Sequence, residues 1–407
     1  NYNGNSRMAK IRDNVRLINK DTRLTTEILD YDLENGIGYY FEGGVITDPE
    51  NRLRSGIGVY YTRNEIFNFK DSVVINNPEY DIFSDSLSYQ IVSKTAYFLG
   101  PTEIVSDSNY IYCEDGWYNT EKDISQFNDN ALISSNEHEI RGDSIYYERN
   151  TGLGSAFQNV EIRDTIQQII LKGQQALYNE RTEKALLTDS TEMVQIHEGD
   201  SLFMHADTLR SIPDTLDEKI ILAYFKVKFF RTNLQGKCDS LTYITRDSVI
   251  QLYGNPVLWS EDKQLSADYI EIYMQNNQIH HMEMKSSAFI AMEVDSGTNK
   301  YNQIKGRDMV AYFRDNEIYL IDVNGNGQTV YYPADDDEYI GVNVDESSSI
   351  KIYIEENKIQ RIHKITTVSG TLYPLTEAPK EELLLKGFVW LDNYRPKTKG
   401  EIFIWEE

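Results

Sequence analysis

Little in this chain crosslinks it, kinks it or carries positive charge. Its 407 residues include only 2 Cys and 9 Pro. Cys113 and Cys238 stand far apart, giving neither zinc-ligand spacing nor a CxxC redox motif, and two separate buried thiols are expected. So few prolines leave long strands uninterrupted. There are 40 Lys and Arg against 65 Asp and Glu, a net charge of −25. Nucleic-acid binding needs a basic stripe to displace counterions, and none is present, so nucleic acid is excluded as a partner. The same charge implies repulsion from anionic membrane surfaces. No run of about 18 apolar residues occurs; the nearest, Ile220 to Phe230, is cut by Lys226 and Lys228. The chain opens on Asn1 without an apolar leader, and a targeting segment already removed is the expectation. Helical periodicity is nearly absent, Thr120 to Phe127 being the best short candidate.

Catalytic and metal patterns are missing as well. No HExxH, GxSxG or P-loop occurs. Of His138, His197, His205, His280, His281 and His363, only the adjacent pair is close in sequence, and neighbours in a strand point to opposite faces. Asp322-Val-Asn-Gly-Asn-Gly327 opens like a calcium loop, but Pro333 stands where a bidentate Glu is needed. Asp335-Asp-Asp-Glu338 reads as a solvated turn. No catalytic residue, metal or cofactor is expected.

What the chain has in abundance is strand-forming residues, with 29 Tyr beside 15 Phe; branched and aromatic side chains suit a pleated, half-buried surface. It also repeats. Asp85-Ser-Leu87-Ser-Tyr89, Asp143-Ser-Ile145-Tyr-Tyr147, Asp239-Ser-Leu241-Thr-Tyr243, Asp268-Tyr-Ile270-Glu-Ile272 and Asp308-Met-Val310-Ala-Tyr312 share one form: Asp, then apolar residues two and four positions on. Gly173-Gln-Gln-Ala-Leu177-Tyr178 reads as a copy with Gln in place of Asp. A second strand follows, small or polar and then alternately apolar: Asn14-Val15-Arg-Leu17, Asn159-Val160-Glu-Ile162, Pro256-Val257-Leu-Trp259. Polar turns such as Arg149-Asn-Thr-Gly152 lie between. Alternation puts one side of each strand in an apolar interior. A unit of about 30 residues cannot bury that side alone, so its neighbours must stack. The expectation is an elongated all-β stack of antiparallel repeats over residues 1–373, its first unit incomplete. Residues 374–407 break the pattern, and form either a cap over the last edge or a docking segment.

These units resemble the OstA-like family, which includes LptA-like periplasmic bridge proteins of lipopolysaccharide transport, in the long form found in Bacteroidetes. Leu234-Gln-Gly-Lys-Cys-Asp-Ser-Leu-Thr-Tyr243 through Leu252-Tyr-Gly-Asn-Pro-Val-Leu-Trp259 is the nearest stretch. The resemblance implies a V-shaped β-jelly-roll, or β-taco, holding acyl chains between two sheets. It implies periplasmic residence, and joining to bridge components at the inner and outer membranes, or to further copies end to end, by edge-strand stacking. The implied function is a non-enzymatic lipid conduit for lipopolysaccharide or lipooligosaccharide. Its expected lining is Leu87, Tyr89, Ile145, Tyr147, Val160, Ile162, Leu241, Tyr243, Val257, Trp259, Ile270, Ile272, Val310 and Tyr312. Asp85, Asp143, Asp239, Asp268 and Asp308 are read as corner residues accepting backbone N–H bonds, because an unpaired buried carboxylate is too costly to recur. Two rivals remain: a carbohydrate-active β-solenoid enzyme, whose acids and aromatics would converge at one unit, and a structural or adhesive stack with a filled interior.

Overall fold

The computed structural model describes residues 2–3, 7–196, 199–216, 218–276, 278–295, 297–315, 317–335, 338–356 and 358–405. His197, Asp336 and Asp337 lie outside them. The fold is all-β, with 70% of the residues in strands that run in antiparallel pairs. Tyr80–Gln90, Thr95–Ser106, Asn109–Asn119, Ile124–Ser135, His138–Glu148, Leu153–Asp164 and Ile169–Asn179 each pair with the next. The short helix expected from Thr120 does not form. The Asn119 side chain accepts the N–H groups of Glu121 and Lys122, closing a turn, and Ile124 starts a strand.

The chain divides into two compact units, residues 1–187 and 188–407. In both, the long strands are creased near the middle. Asn128 pairs with Ser144 and Ala131 with Gly142, which leaves Asp129 and Asn130 facing one residue, Asp143. Both extra residues are left-handed, with φ of 56° and 60°. The same double kink recurs at Asp71-Ser72, Gln158-Asn159 and Ser286-Ser287. Left-handed backbone is costly for most residues, but short polar side chains tolerate it by bonding locally. Gln174 faces the Gln158-Asn159 pair, so the repeat with Gln for Asp is a true copy.

A flat single sheet would leave both faces wet. Yet the first unit buries a cross-strand row of Tyr40, Phe69, Leu87, Phe98, Phe127, Ile145, Ala156 and Ala176 beside the crease. The cover comes from the sheet folding over on itself. Gly58 sits in this row between Tyr40 and Phe69; a Cβ there would lie 2.3 Å from the Tyr40 ring, so only glycine lets that ring reach the vertex.

The second unit is creased likewise, and its interior is full. On one arm Leu209, Ala223, Leu241, Leu252, Ile270, Met284, Met309, Val323 and Ile350 form a buried row. On the other arm Met204, Phe229, Leu258, Leu265, Ile290 and Ile304 form its counterpart. That row ends in polar residues, Thr329 and then Asp345. Lys364, which pairs with Ile350 on the opposite arm, reaches over to Asp345. The apolar interior therefore terminates in an ion pair whose carboxylate is 2% exposed.

Beyond Tyr373 the described residues contain no strand, only short 3₁₀ turns at Lys380–Glu382, Asp392–Tyr394 and Lys399–Phe403. This segment crosses the outward face of one arm of the second unit. Gln303 donates to the Leu383 carbonyl and accepts from Leu385 N–H; Gln264 does the same with Val389 and Leu391. Each amide thus pairs with backbone as a neighbouring strand would. Arg395 donates to the Gln235 side chain and the Glu261 carbonyl. Tyr301 packs on Phe388 and Trp390, and His205 on Phe403.

Candidate functional site

The first unit differs from the second in what lies away from its crease. On one arm the residues in register are Leu17, Leu24, Ile46, Leu53, Ile75, Ile82, Ile104, Ile111, Ile133, Ile140, Ile162 and Leu171. Strand after strand supplies Ile or Leu at the same level. Only Ile82 and Leu171 are fully buried, and most of the others are half-buried. On the opposite arm the row runs Tyr31, Gly38, Tyr60, Phe67, Tyr89, Ala96, Tyr118, Ser125, Tyr147, Gly154 and Tyr178. Small residues here let rings lie flat: a Cβ on Gly38 would be 3.2 Å from the Tyr31 ring, and one on Gly154 3.7 Å from that of Tyr147. One wall is aliphatic and the other aromatic, and neither is packed to the density of the second unit's interior.

The phenols end at the rim. Tyr118 donates to Asp123 at 2.7 Å, and Tyr147 donates to Glu180. Burial, and then the bond to Glu180, push the Tyr147 phenol up to about 12. Tyr80 comes from the other rim; burial raises it, then Glu79 and Glu50, while Arg149 and Asp123 of the tyrosine rim also act on it. Cys113 lies at the crease of the first unit, where a Cβ on Gly116 of the buried row would be 3.5 Å from its Sγ, and Cys238 lies in the second unit. Cys113 and Cys238 are free and buried, and burial lifts Cys113 to about 12.

Of the residues singled out from sequence, Leu87, Tyr89, Ile145, Tyr147, Val160 and Ile162 lie in the interior of the first unit. Leu241, Tyr243, Ile270 and Ile272 lie in the filled interior of the second. Val257 and Trp259 do not. They pair with Lys237 and Gln235, on the face covered by the C-terminal segment, while Leu258 points inward. The left-handed pair is Gly254-Asn255, so Pro256 holds the place read as belonging to Val257. Val310 and Tyr312 also face outward, because Met309 and Ala311 are level with Met284 and Met282. Asp308 is level with Lys285 and Tyr269, one place beyond Asp268, and Arg307 takes the corner position. A one-residue slip exchanges the two faces of a strand.

At the crease Asp143 accepts from the Asn159 side-chain amide, and Asp308 from the Ser286 N–H. Asp268 accepts from the Ser287 hydroxyl at 3.5 Å and Asp239 from the adjacent Ser240. Asp85 lies beside Gly100, where a Cβ would approach its own Cβ to 3.3 Å. Sequence reasoning missed Ile104, Ile111, Ile133 and Ile140. For Ile133 the available signal was an apolar residue three places after a left-handed pair, as Ile75 follows Ser72 and Ile133 follows Asn130; Ile111 and Ile140 follow no such pair.

The family model described as OstA-like protein matches residues 1–85 and 81–143. Those residues are similar to OstA-like proteins. The matched stretch carries most of both ladders, from Leu17 to Ile140 and from Tyr31 to Tyr118. OstA-like proteins are a transport and binding family, and the match indicates a part in lipopolysaccharide or lipid transport. No curated protein matches the chain. No helix among the described residues is long and apolar enough to cross a membrane.

No cluster of His, Cys, Asp and Glu fit to hold a metal occurs among the described residues. Among the described residues, the carboxylate with the largest shift, Glu271, lies on the outward face of the second unit. Burial opposes its charge, but Lys285, Tyr269 and Gln251 all donate to it, and it falls from 4.5 to about 2. A depressed carboxylate contributes stability that is complete above its unfolded value and is lost as pH falls through its folded one. Wild type should therefore lose this contribution between pH 4.5 and about 2. Glu271→Gln should lose less over that interval. Urea unfolding at the two ends of the range checks this, and parallel losses in both proteins would show that Glu271 contributes nothing.

Proposed function

We propose that the first unit holds lipid acyl chains in its creased interior, as a periplasmic conduit for lipopolysaccharide or lipooligosaccharide bound for the outer membrane. The observation that supports this is the half-buried ladder from Leu24 to Ile162, which offers the same aliphatic surface from strand to strand. An interior with only stability to provide would be filled, as that of the second unit is. Covering such a wall with an acyl chain stabilises by about 25 cal/mol per Å² of apolar surface buried. Neighbouring rungs are nearly alike, so movement along them meets no deep trap and needs no chemistry from the protein. Bridge components at the inner and outer membranes, or further copies of this chain, would join by pairing with exposed strand edges. For the second unit the filled interior, closed by Asp345 and Lys364, favours a structural part.

Photo-crosslinking in cells tests the division. A crosslinking residue at Ile104 or Ile133 should capture lipid. One at Leu241 or Ile270 should not, although the repeat pattern alone makes all four equivalent. Adducts at the outward Glu103 with none at Ile104 would refute the proposal.

A further inference from the structure

The two rims of the first unit differ in charge. Of the turns that close the tyrosine arm, 33–36 carries Glu34 and no Lys or Arg, while those at 62–65, 91–94, 120–123, 149–152 and 180–183 each carry one cation, Arg63, Lys94, Lys122, Arg149 and Arg181 in order, beside Glu65, Glu121, Asp123, Glu180 and Glu183. All five cations are exposed. On the aliphatic arm the turn at 20–21 is Lys20-Asp21, and the turns at 48–51, 77–79, 107–108, 136–137 and 165–168 contain no Lys or Arg but hold Asp48, Glu50, Glu79, Asp107 and Glu137. Successive tyrosine-arm turns are two strands apart, about 9.5 Å, and are hydrogen-bonded into a row. Ile91 donates to Glu65, Thr120 to Lys94, Arg149 to Asp123 and Glu180 to Gly152 through backbone. Arg63 and Arg181 each spend one guanidinium bond on a neighbouring turn's carbonyl. The side-chain charges of Lys94, Lys122 and Arg149 have no hydrogen bond or ion pair among the described residues. Several carboxylates on the same rim are already engaged. Asp123 and Glu180 take the phenols of Tyr118 and Tyr147, and Glu148 takes the hydroxyls of Tyr146 and Thr151.

We infer that the tyrosine rim is the headgroup track: cargo lies with its acyl chains toward the crease and its anionic phosphate groups along Arg63, Lys94, Lys122, Arg149 and Arg181. This rests on the lipid reading above and adds an orientation to it. In a chain of net charge −25, a regular file of cations beside an acid-lined rim gives an anionic group one favourable side of the mouth and one unfavourable side. A guanidinium or ammonium every two strands would pass a phosphate from turn to turn without holding it, since exposed pairs of this kind are individually weak.

The test uses the full chain, a bisphosphorylated acylated disaccharide lipid, and the same lipid with its phosphates removed. At low ionic strength the phosphorylated form should bind about five- to tenfold more tightly, and added salt should erase the difference. Replacing all five cations (Arg63→Gln, Lys94→Gln, Lys122→Gln, Arg149→Gln, Arg181→Gln) should remove the preference while leaving the dephosphorylated lipid bound as before, which also reports that the variant is folded. Equal binding of both lipids by the wild type overturns the headgroup track and leaves the acyl trough standing. A preference that survives the five substitutions places the phosphate elsewhere and overturns it too. Inorganic phosphate binding to this rim with the same affinity as the lipid makes it a free-anion site and overturns the link to cargo. Binding of neither lipid removes the trough, and this inference with it.

Discussion

A chain ending at Tyr373 is expected to melt at least about 10 °C below the full-length protein. The segment removed is the cover of a sheet face. Beneath it lie Trp259, fully buried, and the buried rings of Phe289 and Tyr301. Of the segment's own side chains, Ile402 is fully buried, and Phe388 and Trp390 fill the space over Tyr301. Each such side chain returned to water costs about 1.5–3 kcal/mol. The backbone bonds made by Gln264 and Gln303 add about 1 kcal/mol each. A loss of about 5 kcal/mol shifts the midpoint of a unit this size by about 10–20 °C. Calorimetry should show the lowered transition. The pair Gln264→Ala and Gln303→Ala makes a sharper point. With the segment still attached, its backbone groups stay buried without partners, at about 1–3 kcal/mol for each. If truncation leaves the melting point unchanged, the segment is not a stabilising cover and its contacts are incidental.

Ile104→Asp combined with Ile133→Asp is expected to reduce lipid retained by the purified protein more than tenfold. Both residues are half-buried rungs of the aliphatic wall, so the free protein can hydrate the new carboxylates and fold. An acyl chain lying against them would strip that water away, and burying an unpaired carboxylate is far costlier than burying a methylene. Leu132→Asp is the control, one position from Ile133 and on the opposite face. It should retain lipid as the wild type does. Mass spectrometry of the lipid extract measures all three proteins. Retention by the double variant equal to that of the control would mean that the ladder does not touch the cargo.

The all-β character, the antiparallel repeat and the copy with Gln174 were all legible in the residues. Period-two alternation and the polar interruptions are local properties, and they follow from side-chain geometry alone. In the first unit all six lining residues chosen from the repeat fall in the interior, because four count from Asp85 and Asp143, which face a left-handed pair on the neighbouring strand, and Val160 and Ile162 follow such a pair themselves. In the second unit Val257, Trp259, Val310 and Tyr312 were placed on the wrong face. There the motif was counted from Pro256 and Asp308, while the backbone kinks at Gly254-Asn255 and Arg307 takes the corner. Which residue takes a left-handed conformation depends on the pairing of both neighbouring strands, and no single repeat encodes that.

The sequence by itself determined the strands, their order and the alternation that gives each an apolar side. Only the tertiary structure decided whether that apolar side is filled or open. Leu87 and Ile270 follow Asp in the same pattern, yet one borders a half-open trough and the other a closed core, because packing depends on what the opposite arm brings across the crease. Opposite the tyrosine wall stand isoleucines that leave space. In the second unit the arms bring Leu258, Leu265, Ile290 and Ile304 against Leu252, Ile270 and Met284, and nothing is left to fill. Nor could the local pattern foretell that Gln264 and Gln303 would bind the backbone of residues more than a hundred and about eighty positions away. Those contacts exist only after the crease has turned their face outward and the chain has come back across it.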